Sequence, residues 1–104
     1  MSDNVNHPSH YEKNCSIECI DSMLIAFGEE TVVHFCICNA YKYLWRHTNK
    51  NGMEDLDKAR WYLRKASDII DNSRDTWHYG VIDEKLKILE EEVCRYIVIA
   101  KKEA

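Results

Sequence analysis

The chain has very little with which to build tight turns or phosphate loops: one proline, Pro8, and three glycines, Gly28, Gly52 and Gly80, among 104 residues. The glycines stand far apart, so neither a phosphate-binding loop nor a dinucleotide fingerprint can be assembled from them. A nucleophile elbow, a zinc-protease helix motif and a kinase catalytic loop are missing as well. No apolar run approaches the roughly 18 residues of a membrane span, and the N-terminus lacks a basic segment followed by an apolar one. A soluble, unsecreted protein is the resulting expectation. Positive charge is not in excess: 14 Lys and Arg against 18 Asp and Glu give a net charge of -4. That removes a global field for nucleic acid, and stable nucleic-acid binding is not expected. Any anion site has to be local.

Cysteine is the exception to this scarcity, with Cys15, Cys19, Cys36, Cys38 and Cys94. An odd count without a secretion signal disfavours an obligatory disulfide framework. Neither Cys15/Cys19 nor Cys36/Cys38 has the two-residue gap of a structural zinc knuckle. Buried free thiols acting as small apolar residues are the simpler reading. A zinc site that joins Cys15 or Cys19 to His7 and His10 is the alternative.

What remains is rich in helical periodicity and predicts one all-α domain, a small bundle of four helices behind an extended N-terminal arm. The arm is residues 1–15, where Pro8 biases its neighbourhood away from helix. Ser16 is an N-cap candidate and Gly28 a terminator, giving a first helix over 16–27 with Ile17, Ile20, Leu24 and Phe27 inward. Glu18 and Asp21 in it are either solvated carboxylates or a cation site. Thr31 caps a second helix over 32–47, with Val33, Cys36, Ile37, Ala40 and Leu44 as its apolar stripe. Asn51-Gly52 marks a turn, and a third helix follows over 53–71 with Leu56, Ala59, Leu63, Ala66 and Ile70 inward. Residues 73–81 read as a loop whose Trp77, His78 and Tyr79 cover the core.

The last helix, 82–101, is the most regular. Ile82, Leu86, Leu89, Val93, Tyr96 and Ala100 alternate by four and three residues, a coiled-coil type of seam, and Ile97 and Ile99 add apolar surface outside it. One helix in so short a chain cannot easily bury both sets, so this segment is expected to hold a homo-oligomer together. Packing wholly within one chain is the competing reading.

The second and third helices form a hairpin with a polar side. Asn39, Tyr43 and Arg46 share a face of the second with Lys42 at its edge, while Lys58, Trp61, Tyr62 and Lys65 lie outside the apolar stripe of the third. Planar rings beside cations suit a phosphorylated, ring-bearing ligand: Arg offers a bidentate fork, Lys a point charge, and the rings a stacking surface. His7, His10 and Tyr11 in the arm are donors of the kind that phosphate, metal or proton transfer uses, or else they pin the arm in place.

Four stretches in order, Asn6-His7-Pro8-Ser9-His10-Tyr11, Ile17-Glu18-Cys19-Ile20-Asp21, Asn39-Ala40-Tyr41-Lys42-Tyr43-Leu44-Trp45-Arg46 and Glu54-Asp55-Leu56-Asp57-Lys58-Ala59-Arg60-Trp61-Tyr62-Leu63, resemble the signatures of a phage-encoded family of small proteins. That family was long carried as a domain of unknown function. It includes SaV-like phage proteins and shares these motifs with a segment of a coliphage nucleotide kinase that lacks a P-loop. The resemblance covers about residues 4–65, and the segment after Ser73 lies outside it. This chain has Cys38 where family members commonly have glycine before the Asn-Ala pair. The resemblance implies a nucleotide-handling viral protein in the cytoplasm of an infected bacterium. It adds weight to His7, His10, Tyr11, Asn39, Lys42, Tyr43, Arg46, Lys58, Trp61 and Tyr62 as nucleotide-binding residues, with Asp55 orienting Arg46 or Lys58.

Two function classes follow. In the first the protein sequesters a nucleotide, such as a signalling nucleotide of bacterial antiviral defence, and needs no cofactor. In the second it is a nucleoside monophosphate kinase, which requires magnesium as well as donor and acceptor sites. Sequestration demands fewer parts from a chain without the known phosphate loops.

Overall fold

The computed structural model describes residues 19–49, 51–74 and 76–103, without the side chains of 76 and 77. Four α-helices run through them: α1 (Cys19–Phe27), α2 (Glu29–Arg46), α3 (Met53–Asp71) and α4 (Gly80–Glu103), with a 3-10 turn, Thr76–Tyr79, before α4. No strand occurs among the described residues. The all-α bundle expected from the periodicity is the fold observed. The arm over 1–15, with His7, His10 and Tyr11, and the proposed cap Ser16 lie outside the described residues.

Gly28 separates α1 from α2 at φ 89 and ψ 167, a region open to glycine and costing a side-chain-bearing residue about 1–3 kcal/mol. Its N–H donates to the Leu24 carbonyl at 3.0 Å, closing α1, and it then serves as the cap residue of α2. The second helix therefore starts at Glu29, ahead of the expected Thr31 cap. Glu29 and Glu30 thus sit in its first turn, where the helix dipole favours negative charge. The hairpin turn closes through Gly52, at φ 52, whose N–H donates to the His47 carbonyl at 3.0 Å. Asp55 then reaches back to accept the Asn51 N–H at 3.2 Å, a carboxylate in the first turn doing the work of a capping box.

The third helix is the axis of the bundle, because α2 and α4 both pack on it. It buries a broad face for that reason: Leu56, Ala59, Leu63, Ala66 and Ile70 as expected, and Tyr62 and Ile69 in addition. From α2 come Val32, Val33, Cys36, Ile37 and Ala40, and from α4 Leu86, Val93 and Ile97. In α1 Ile20 is buried, whereas Phe27, expected inward, is 67% exposed because the chain turns at the next residue. Asp21 pairs with Lys65 of α3 at 3.4 Å, tying α1 to the bundle through an ion pair.

Residues 73–79 do more than connect. Ser73 Oγ donates to Glu29 at 3.2 Å and His78 lies 3.1 Å from Glu30, so the start of α2 is held from the far end of α3. Tyr79 is buried as the lid reading requires; His78 is exposed, and the Trp77 side chain lies outside the described residues. Along α4 the regular seam packs on its own chain. Leu86 and Val93 are fully buried, and Ile82, Leu89, Tyr96 and Ala100 are half-buried against the same core. Ile97 joins them inside, and Val81, Ile88, Val98 and Ile99 are left outside. No helix among the described residues is long and apolar enough to cross a membrane.

The thiols divide by burial. Cys36 sits in the core, and loss of hydration pushes its pKa up to about 12, against a weaker opposing pull from Lys65. Cys38 and Cys94 are exposed. With a maleimide at pH 7.5, the exposed Cys38 and Cys94 are expected to label in the folded protein and Cys36 only once denaturant opens the fold. Peptide mass spectrometry of a timed labelling series reads this directly. Early modification of Cys36 would show that the α2–α3 interface opens readily.

Candidate functional site

The polar side of the hairpin is assembled where α2 lies across the first half of α3. Asn39, Lys42, Tyr43 and Arg46 fall on one face of α2 because positions three and four apart stack along a helix. Lys58, Trp61 and Tyr62 oppose them from α3. The ring of Tyr43 stands at the centre. It stacks nearly parallel on Tyr62, with centroids 5.9 Å apart and planes 12° from parallel. Three cations gather on it: Lys42 Nζ at 4.6 Å from the centroid, Lys58 Nζ at 5.5 Å and the Arg46 guanidinium carbon at 5.6 Å. At these distances a ring quadrupole attracts a cation, and it partly offsets the repulsion among three like charges.

Carboxylates hold two of the three. Lys58 pairs with Glu54, one turn back on α3, at 3.2 Å. Arg46 Nε lies 3.5 Å from Asp55 Oδ2, across the turn. Lys42 has no carboxylate within ion-pair distance among the described residues and is exposed. Three cations against two carboxylates leave one positive charge on this face, in a protein whose net charge is -4.

Asp55, expected to orient Arg46 or Lys58, faces Arg46. Its side chain is completely buried, although acidic residues in a first helical turn are ordinarily solvated. Oδ2 receives the Asn51 N–H and faces Arg46, while Oδ1 and Arg46 Nε make no hydrogen bond among the described residues. The buried carboxylate thus fixes the guanidinium by charge at its inner nitrogen and leaves the outer fork toward solvent, where 37% of the Arg46 side chain is exposed. Asp57, also nearly buried, instead accepts a hydrogen bond from an outer nitrogen of Arg60 at 3.1 Å, on the next face of α3.

The structure brings Lys42, Tyr43, Arg46, Lys58 and Tyr62 into one cluster, with half-buried Trp61 edge-on to Tyr62 at 5.0 Å and half-buried Asn39 one turn before Tyr43. Tyr62 differs from its expected place beyond the apolar stripe. It is only 6% exposed and also meets Phe35 edge-on at 6.1 Å, so it is the floor under Tyr43. Tyr43, engaged by a stacked ring and three cations, is a pillar that gathers charge. Trp45, of the same motif, is neither part of this cluster nor buried; it is 76% exposed on the flank of α2 toward α4. His7, His10 and Tyr11 lie outside the described residues, as does the zinc alternative that depends on the histidines.

Among known proteins, no curated sequence and no solved structure matches this chain. A match does exist at the level of a sequence family, over residues 5–64, which covers α2, the turn, α3 as far as Arg64, and the cation cluster. More than half of the chain lies within that match, and the protein therefore belongs to the family DUF3310, described as a protein of unknown function.

Proposed function

We propose that the protein is phage-encoded and binds a phosphorylated nucleotide on the cation-and-ring face of the α2–α3 hairpin, holding it without chemistry. The convergence of Lys42, Arg46 and Lys58 on the Tyr43 ring carries this reading. A surface with three clustered cations, one of them without a carboxylate partner among the described residues, suits a phosphate group. Charge-assisted contacts of that kind are the strong ones among hydrogen bonds. In this arrangement the Arg46 fork and the two ammonium groups take the phosphate, Asn39 reads a base edge, and Trp61 borders the base. The cluster lies within the DUF3310 match. Sequestration of a host signalling nucleotide in the cytoplasm of an infected bacterium is the biological form of the proposal, and nucleoside monophosphate kinase activity is the reading it competes with.

Nucleotides that co-purify with the protein, released and identified by mass spectrometry, name the ligand. Calorimetry with that compound on Lys42→Ala and Lys58→Ala is expected to show losses of about ten- to a hundredfold each, as for charge-assisted contacts of about 1.5–3 kcal/mol. Unchanged affinity in both variants would sink the site. Incubation with magnesium, a nucleoside triphosphate and candidate monophosphates separates the two readings: ligand recovered intact agrees with sequestration, and new diphosphate establishes a kinase.

A further inference from the structure

The two helices that pack on α3 diverge from each other, leaving a trough between α2 and α4 on the side away from the cation cluster. Its walls are apolar in one half, where Ile37 and Tyr41 face Ile82 and Ile88, and aromatic in the other, where Trp45 faces Tyr96. Ile88 is 60% exposed and Tyr41 54%, so with Trp45 three large apolar side chains stand in solvent along one line. Isolated exposed apolar residues are ordinary, but a contiguous set edged by charge marks an interaction surface.

A second regularity of α4 coincides with the trough. Val81, Lys85, Ile88, Glu92, Arg95 and Ile99 alternate by four, three, four, three and four residues, one position ahead of the seam that packs on the chain's own core. The helix carries two adjacent seams, one used internally and one facing outward. On the outward seam Lys85 belongs to the apolar half of the trough and Glu92 to the aromatic half. They are seven residues apart, about 10.5 Å along the axis, and their midpoint falls between Ile88 and Leu89.

That pattern is complementary to itself under a two-fold rotation. We propose that the trough docks a second copy of this chain, with the two α4 helices antiparallel and the axis passing beside Ile88 and Leu89. Lys85 then meets the partner's Glu92 twice over, and Ile88 packs on the partner's Leu89. A parallel arrangement would set Lys85 beside the partner's Lys85. Within its own chain Glu92 already holds Arg95, so in the pair the carboxylate lies between two cations. An isologous contact of this kind buries Tyr41 and Trp45 as aromatic anchors on both sides of the axis. It leaves the candidate ligand face open, because Tyr43 and Arg46 are turned to Tyr62 and Asp55 of α3.

Light scattering on the full chain at micromolar concentration is expected to give twice the chain mass of 12.3 kDa. Ile88→Glu is expected to give the single-chain mass with an unchanged helical dichroism spectrum, its position being exposed. Lys85→Glu and Glu92→Lys, also at solvent-facing positions, should each weaken association by about tenfold or more through like charges in the interface. The double variant, with the charges exchanged, should regain wild-type association. A wild type at 12.3 kDa overturns the proposal and assigns the trough to another partner. A mass that Ile88→Glu leaves unchanged overturns it too, as does a double variant no stronger than the singles.

Discussion

Arg46→Ala is expected to lower folding stability by about 2–3 kcal/mol, below the 3–5 of a wholly buried pair because the guanidinium is partly solvated. The physical reason is Asp55. With the arginine gone, a fully buried carboxylate retains one backbone donor, the Asn51 N–H at 3.2 Å, and no opposing charge among the described residues. The cost falls on the α2–α3 turn, since Asp55 closes that turn and Arg46 ends α2. Chemical denaturation followed by helical dichroism measures it. Arg46→Ala combined with Asp55→Asn is expected to recover most of the loss, because the carboxamide leaves no charge to be compensated. A single variant as stable as the wild type would mean that water reaches Asp55 and that the pair is not structural. The same geometry bears on function: a loss of ligand affinity in Arg46→Ala mixes two causes, whereas Arg46→Lys keeps a positive charge and removes the bidentate fork.

Much of the bundle was legible because stripes of Val33, Cys36, Ile37, Ala40 and Leu44 and of Leu56, Ala59, Leu63, Ala66 and Ile70 repeat at helical spacing, and all of them are buried except Leu44, which is half-buried. Punctuation was legible where it was glycine: Gly52 opens α3, and Gly28 ends α1. Gly28 also opens α2, which the Thr31 signal obscured, since a glycine at positive φ can serve both helices at once. Tyr62 escaped the stripe because a helix flanked on two sides buries a wider arc than an amphipathic surface helix. No local pattern announces that α3 is flanked in this way. The two interleaved seams of α4 are an ambiguity of the same origin. Each has the spacing of a packing face, and only the position of α3 decides that Leu86 and Val93 go inward while Ile88 stays out.

The cation cluster was legible in part for a different reason. Asn39, Tyr43 and Arg46 share a helical face by spacing alone, with Lys42 at its edge, but their meeting with Lys58 is set by the crossing of two helices. The role of Tyr43 depends on that crossing. A tyrosine beside arginine and lysine in sequence suggests a ring free to stack on a base, whereas the fold surrounds it with cations and seats it on Tyr62. Asp55 illustrates the same limit: its charge and place in the first turn are those of an ordinary solvated helix start, and its burial follows from the packing of α2 and the turn against the start of α3.

Tyr62→Ala is expected to be the most damaging single change on the hairpin, at about 3–5 kcal/mol, the range for truncating a buried aromatic ring. Its ring is 6% exposed and meets Tyr43 face-on, Phe35 edge-on and Trp61 edge-on, so truncation empties the junction of three aromatic contacts. For a chain of this size, 4–8 °C per kcal/mol puts the fall in Tm at about 12 °C or more. In the Ile88→Glu background, where the α4 pairing proposed above is removed, Trp45→Ala, which takes a larger ring from a position 76% exposed in the single chain, should by contrast stay within about 0.5 kcal/mol of its parent. Thermal melts of the two variants side by side test the placement of both rings, and the reverse order of damage would show that α2 is rotated about its axis. Tyr62→Leu extends the test to the ligand face: leucine fills much of the space and preserves most of the stability, but it cannot stack under Tyr43. If Tyr43 gathers Lys42, Arg46 and Lys58 because Tyr62 holds its plane, Tyr62→Leu should fold and bind nucleotide more weakly. Affinity equal to the wild type in that variant would show that the cations find the phosphate without the stacked pair.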